Sequence, residues 1–383
     1  MKPTTILAGA VALALAAGTV RADELKIGVA TAQTGALAPY DQPTLAGLQL
    51  RLDELNAAGG LAGRYKAVLT IKDTRSDVAQ TVQAAKELID GGAQLLITPC
   101  DADPSIAAGQ IAQAAKIPAI TLCASTPTLV GAVGDYMFGS YPADNAQAAI
   151  SAAYAIKQGY RTAYVLKSPD SAYTQKLPEY FGIVFTAKGG KVVGEGTYTM
   201  GQQSFAAQVT QIKAMSPPPD VIMTSAYEPD FPAFIKALRA AGVKIPVIGS
   251  DGIDTPTTMG LGDVVDGVVL TTAGYDTPGS ALAAFDEKWK AKTGNAPDTV
   301  YYATGYDIGT VIDAALKAAG STDPAKLRDA IAGIKDLPVV TGTITYAGTN
   351  GMPLHSIALV RIEKGKKELI EQGLPDAASV PAP

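Results

Sequence analysis

Short runs of apolar, β-prone residues alternate with helix-length segments along nearly the whole chain, and this alternation most constrains the fold. Leu25–Ala30, Ala67–Lys72, Gln94–Thr98 and Pro118–Leu122 read as strands, with helices expected over Thr44–Ala57, Val78–Gly91 and Ser105–Lys116. The pattern then repeats. Arg161–Leu166, Lys191–Tyr198, Asp220–Thr224 and Pro246–Gly249 read as strands, separated by helices over Ser171–Lys188, Phe205–Met215 and Asp230–Ala241. Such alternation builds mostly parallel sheets covered by helices on both faces. The expected fold class is α/β, with two doubly wound, Rossmann-like lobes in succession.

The remaining elements are too few for a third domain: a strand over Gly267–Thr272, helices over Ala281–Thr293, Val300–Ala319 and Pro324–Ile334, and a hairpin-like stretch over Val339–Leu369. They are expected to return and complete both lobes through a multi-strand hinge, with crossings near Tyr141–Asp144, Thr271–Tyr275 and Val340–Tyr346. The resulting division assigns 23–143 plus 273–341 to an N-terminal lobe and 144–272 plus 342–376 to a C-terminal lobe. Residues 377–383 are expected as a flexible tail.

The first 22 residues are set apart. Lys2, the apolar run Ile6–Gly18 and Val20-Arg21-Ala22 form a secretory signal with cleavage expected after Ala22. The apolar run is shorter than the roughly 20 residues that span a bilayer. Removing Lys2 and Arg21 from 31 basic residues leaves 29 against 36 acidic ones, a formal charge of −7. That balance argues against nucleic acid or anionic membrane as a partner.

In open α/β sheets, ligands bind beyond the carboxyl ends of the strands, so the loops there carry the candidate site. Gln33-Thr34-Gly35-Ala36 follows the first strand but lacks dinucleotide spacing, and no Walker-type loop occurs. Asp103 followed by Pro104 reads as a helix N-cap, whereas Asp101 falls on the loop facing the expected cleft. Ala124 and Ser125 lie on the next such loop, where N–H groups and small hydroxyls suit an acceptor or anionic end. Asp251 closes a second-lobe strand and suits a cationic end, although Asp-Gly is also a plain turn signal. Tyr173, Tyr227 and Tyr275 lie in post-strand loops or beside a crossing. Such rings often only pack, but several converging on one cleft suit a small solute. Cys100 and Cys123 end neighbouring strand-like runs. Export permits a disulfide between them, two buried thiols are the alternative, and spacing does not decide. His355 is the only histidine. With no Gly-x-Ser-x-Gly or His-Glu-x-x-His motif, neither a hydrolase triad nor a metal site is expected.

The residues Leu25-Lys26-Ile27-Gly28, Thr34-Gly35, Leu55 through Arg64, Lys72 through Asp77, Leu238 through Gly242, Tyr302 through Asp307 and Gly342 through Tyr346 resemble the periplasmic leucine/isoleucine/valine-binding protein family. The resemblance covers nearly all of the mature chain. It implies a type I periplasmic binding protein fold, no enzymatic activity and no cofactor. It also implies a monomer that captures a small polar solute by hinge closure and delivers it to an ABC permease in the inner membrane. The family holds an amino acid's carboxylate on loops that look like Asp101-Ala102 and Ala124-Ser125. Its ammonium-binding acid looks like Asp251, and its aromatic walls look like Tyr40, Tyr173 and Tyr227. An aromatic acid, amide or urea-like cargo is the alternative. Two departures stand out. Asp101 replaces a small hydroxyl residue where a carboxylate would be held, and the family's usual partner for the cysteine at 100, near Arg75-Ser76, is missing.

Overall fold

A computed structural model describes residues 23–383, so the signal-peptide reading lies outside the described residues. Strands β1 (Glu24–Thr31), β2 (Lys66–Asp73), β3 (Leu95–Thr98), β4 (Ala119–Thr121) and β5 (Met137–Phe138) form one parallel sheet in the order β2-β1-β3-β4-β5. The second sheet has seven strands: β6 (Thr162–Lys167), β7 (Lys191–Thr197), β8 (Val221–Thr224), β9 (Val247–Ile248), β10 (Val269–Thr272), β14 (Ile357–Glu363) and β15 (Lys366–Gly373). Its order is β15-β14-β10-β9-β8-β6-β7, and only β14 and β15 run antiparallel to their neighbours. Central strands such as Leu95-Leu96-Ile97-Thr98 and Val221-Ile222-Met223-Thr224 are buried throughout. Their continuous apolar runs are what a sheet covered on both faces requires. The α/β class and the doubly wound lobes follow the sequence reading.

The helix Ala38–Ala57 begins six residues before the expected Thr44. Pro39 stands in the first turn, where no N–H is needed. At Pro43, which removes one backbone donor, the Thr44 hydroxyl donates to the Tyr40 carbonyl at 2.8 Å. Tyr40 therefore sits on the helix. This helix packs on the late helix Tyr301–Ala319, and the contact is backbone to backbone. A Cβ at Gly47 would collide with the Tyr302 carbonyl, and one at Gly305 with the Thr44 carbonyl. Glycine is required at both crossing points, and the approach sets the Tyr40 and Tyr301 rings 5.7 Å apart, edge to face.

The chain leaves the first lobe after β5 and returns after β10, and these crossings touch where the Ala273 N–H donates to the Tyr141 hydroxyl. The third crossing is not where the sequence placed it. Strands β11 (Leu337–Val339), β12 (Gly342–Thr345) and β13 (Leu354–His355) form a separate antiparallel sheet. This sheet stays with the first lobe: Tyr346 donates to the Gly139 carbonyl at 2.6 Å and packs edge to face on Phe138. Val340 N–H is held by Asp307. The second sheet resumes only at Ile357, so 342–355 belong beside the first lobe, in place of the single hairpin expected over Val339–Leu369. The tail differs too. Ala377–Ser379 form a 3₁₀ turn, Asn145 donates to the Pro381 carbonyl at 2.8 Å, and Val380 packs against the core.

Candidate ligand-binding site

Beyond the carboxyl ends of the strands, a small cavity lies between the lobes. From the first lobe it is lined by Leu37, Tyr40, Cys100, Asp101, Ala102, Cys123, Ser125, Thr126 and Tyr301, and from the second by Tyr173, Tyr227, Asp251 and Gly252. Of the expected residues, Tyr40, Asp101, Ser125, Tyr173, Tyr227 and Asp251 converge here. Ala124 is buried next to Ser125 but does not line the space. Tyr275 is elsewhere: its hydroxyl donates to the Lys367 carbonyl, and it lines a different hollow with Asp276 and Asp286. β10 ends at Thr272 and the chain crosses toward the first lobe at Ala273, so Tyr275 lies beyond the crossing, tied to Lys367 of β15. The Gln33–Ala36 loop is not a wall either, because the Asp73 carboxylate holds the Gln33 and Thr34 N–H groups and the Thr34 hydroxyl away from the cavity.

Cys100 and Cys123 form a disulfide across the ends of β3 and β4, with Cα atoms 4.3 Å apart. The bond lines the first-lobe side of the cavity. Asp101 follows directly and caps the helix Ala102–Ala115, accepting from the Asp103 N–H at 3.3 Å. The cap thus falls two residues before the expected Asp103, inside the first turn of this helix.

Three tyrosines, Tyr40, Tyr227 and Tyr301, close the lobes on each other with four hydrogen bonds. Tyr40 donates its hydroxyl to the Gly252 carbonyl at 2.9 Å and accepts from the Glu228 N–H at 3.0 Å. Tyr227 donates to Asp101 at 3.0 Å. Asp251 accepts from the Tyr173 hydroxyl at 3.0 Å, and the Tyr301 hydroxyl donates to the Asp251 carbonyl at 3.0 Å. The four tyrosine rings therefore spend their hydroxyls on the protein and turn aromatic surface to the cavity. Tyr40 and Tyr227 meet edge to face at 5.7 Å, and Tyr173 and Tyr227 lie 5.9 Å apart.

The electrostatics are one-sided. Burial pushes the Asp251 carboxyl up to about 6, against the lowering hydrogen bond from Tyr173. Burial likewise pushes Asp101 up to about 6, against the Tyr227 hydrogen bond. Asp144 opens the helix Asp144–Lys157 at the first crossing, and its N–H donates to the Ser125 carbonyl at 2.9 Å. Burial holds its carboxyl far above the usual range, with Asp251 and Asp101 adding to the rise. The Ser125 hydroxyl approaches closely enough to oppose this, but both Asp144 oxygens lack a well-formed hydrogen bond. No lysine, arginine or histidine is among the residues lining the cavity. Among the described residues no group of three or more His, Cys, Asp and Glu is placed to hold a metal ion, and no helix is long and apolar enough to cross a membrane.

Sequence reasoning missed Tyr301, Leu37, Thr126 and the buried carboxylate of Asp144. The sequence places Asp144 at a crossing, and Tyr301 in the first turn of the helix expected over Val300–Ala319. For Asp144, its place at the crossing was the available signal.

His355 lies outside the cavity, between the Thr341 hydroxyl at 2.9 Å and the Ser356 carbonyl at 2.6 Å. Burial pushes its ring down to about 4, so it is neutral there.

Two open-sheet lobes, three crossings and a cavity walled from both sides define a hinged solute-binding protein. The pattern of the family described as periplasmic binding protein matches residues 24–367, and the chain belongs to that family. Among curated relatives, the Leu/Ile/Val-binding protein BraC3 of Rhizobium johnstonii is 26% identical over 345 residues, covering 90% of this chain and 93% of that one. The leucine binding protein LivK of Thermotoga maritima superposes with a TM-score of 0.84 at 26% identity, over 92% of this chain and 99% of its own. A solute-binding protein from R. palustris, solved in complex with benzoate, has the same fold, with a TM-score of 0.81 at 23% identity over 92% of this chain and 97% of its own.

Proposed function

We propose that this chain is the extracytoplasmic solute-binding component of an ABC importer and captures a small amino-bearing solute of the amino-acid class. The ligand sits between the lobes with its ammonium group on Asp251 and its body against Tyr40, Tyr173, Tyr227 and Tyr301. The observation that carries this reading is the shared cavity itself. Asp251 comes from the second lobe, Asp101 and Ser125 from the first, and Tyr40 spans the two with hydrogen bonds to Gly252 and Glu228. Neither lobe alone makes that enclosure, so a ligand touching both favours the closed state by its differential affinity for it. Closure then offers a membrane permease a surface that the open form lacks. The names of the curated relatives place branched-chain amino acids first among the amino acids to try.

No chemistry is assigned to the site. The one histidine is buried elsewhere, and Ser125 has acid neighbours in place of an activating base. Export, removal of the leader after Ala22, residence in the periplasm and action as a monomer belong to the same reading.

Thermal-shift screening of the purified protein against amino acids, aromatic acids, amines and amides tests it. A ligand that binds only the folded state raises the melting temperature. At least one amino compound should do so, and Asp251→Asn should abolish the shift. A panel with no effect, or turnover of the bound compound, would sink the reading.

A further inference from the structure

Among the side chains facing the cavity, nearly every polar proton is already given to the protein, and what is left to a ligand is mostly acceptors. Tyr40, Tyr227 and Tyr301 give their protons to Gly252, Asp101 and the Asp251 backbone, and Tyr173 is tied to Ser250 and Asp251. The Thr126 hydroxyl is engaged with Thr128. The Ser125 hydroxyl remains, and it lies near the fully buried carboxyl group of Asp144, whose oxygens have no well-formed hydrogen bond.

At the place where the family resemblance expects a ligand carboxylate, the chain supplies its own. Asp101 occupies the N-terminus of the helix Ala102–Ala115, accepts from the Asp103 N–H, and is bridged to the second lobe by Tyr227. The favourable position for an anion at that helix end is thereby taken. A second carboxylate entering beside Asp101 meets like charge in a site with little water and no neutralising cation.

We propose that the cavity takes a small organic cation without a free carboxylate, a primary amine or an amino-acid amide, with its ammonium on Asp251 and its other end among Asp101, Ser125 and the tyrosine rings. The proposal rests on the ammonium-binding role given to Asp251 above and narrows the solute class. Aromatic faces add to the selection, since a cation over a tyrosine ring is attracted by the ring quadrupole.

Matched pairs test it by calorimetric titration at neutral pH: leucine against leucinamide, phenylalanine against phenylalaninamide, with isoamylamine as the amine lacking any carboxyl carbon. At least one amide or the amine should bind more tightly than the parent acids by about ten-fold or more, the discrimination that ~1.4 kcal/mol of like-charge repulsion produces. Asp101→Ser should narrow or invert that preference. Serine is itself a good N-cap, so the helix start is kept, and Asp101→Asn, which removes the charge at nearly constant size, gives an independent second variant. Wild-type protein that binds leucine as tightly as leucinamide, or a preference unchanged in both variants, overturns the proposal while leaving the Asp251 reading intact if Asp251→Asn still abolishes binding. Absence of binding by every compound in the set overturns both.

Discussion

Replacing Tyr40 with phenylalanine removes one oxygen atom and, with it, two hydrogen bonds between the lobes: the donation to Gly252 at 2.9 Å and the acceptance from Glu228 at 3.0 Å. The ring keeps its edge-to-face contacts with Tyr227 and Tyr301. In the closed form the Gly252 carbonyl and Glu228 N–H lose their partner in a buried setting, whereas in the open form both reach water. The cost therefore falls on closure. At about 1 kcal/mol net per hydrogen bond, the closed state loses ~2 kcal/mol relative to the open one, which is roughly 30-fold in the closed-to-open ratio. Where the open form dominates before binding, affinity falls by nearly the same factor. Calorimetric titration of the wild type and Tyr40→Phe with leucinamide reads the affinity, and urea denaturation without ligand reads the stability. The expected result is a loss of affinity of about ten- to a hundred-fold, centred on ~2 kcal/mol, with a denaturation midpoint that barely moves. A large drop in ligand-free stability with unchanged affinity would mean that the Tyr40 hydroxyl holds the fold together and does not latch the lobes.

Removing the disulfide by Cys100→Ser with Cys123→Ser frees a loop with a sequence separation of 23 and should cost about 3 kcal/mol in urea denaturation; a loss well under about 1 kcal/mol would contradict that. Gly305→Ala pushes the backbone of its helix off Thr44, so it should destabilise the protein by about 1–3 kcal/mol or more and weaken binding through displaced Tyr40 and Tyr301. Asp41, with its carboxyl raised by burial to about 7, and Asp307, raised by burial to about 7, stabilise the fold when protonated. Their contribution is complete below the ordinary carboxylate range and is lost as pH rises through about 7. His355, pushed down to about 4, acts in the opposite sense below its ordinary value, but it is one group against two. The ligand-free melting temperature should therefore be higher at pH near 5 than near 8, and a flat or inverted profile would refute the assignment. Ammonium binding should weaken as pH falls through about 6, where Asp251 and Asp101 take up protons, and titrations across that range check it.

What was legible in the sequence is what short-range pattern encodes. Runs such as Leu95–Thr98 and Val221–Thr224 announced central strands because both faces of a covered sheet are apolar. Loops at the ends of those strands then pointed to Asp101, Ser125, Tyr227 and Asp251 before any geometry was known. The illegible parts depend on distant partners. Residues 342–355 read as the start of one long hairpin, and only the docking of Tyr346 on Phe138 and Gly139 keeps them with the first lobe. Tyr301 enters the cavity because Gly47 and Gly305 let two helices touch, a pairing separated by more than two hundred residues of chain in the sequence. Tyr275 looked equivalent to Tyr173 and Tyr227 by position after a strand, yet its hydroxyl is held by the Lys367 carbonyl of a strand almost a hundred residues later, on another surface.

Small-angle X-ray scattering across a titration with the tightest-binding compound of the leucine and leucinamide set probes the shared enclosure directly. One equivalent of ligand should reduce the radius of gyration as the lobes close, and the reduction should be lost in Asp251→Asn. Saturation of the protein with no change in its dimensions would show that the solute is not held between the lobes.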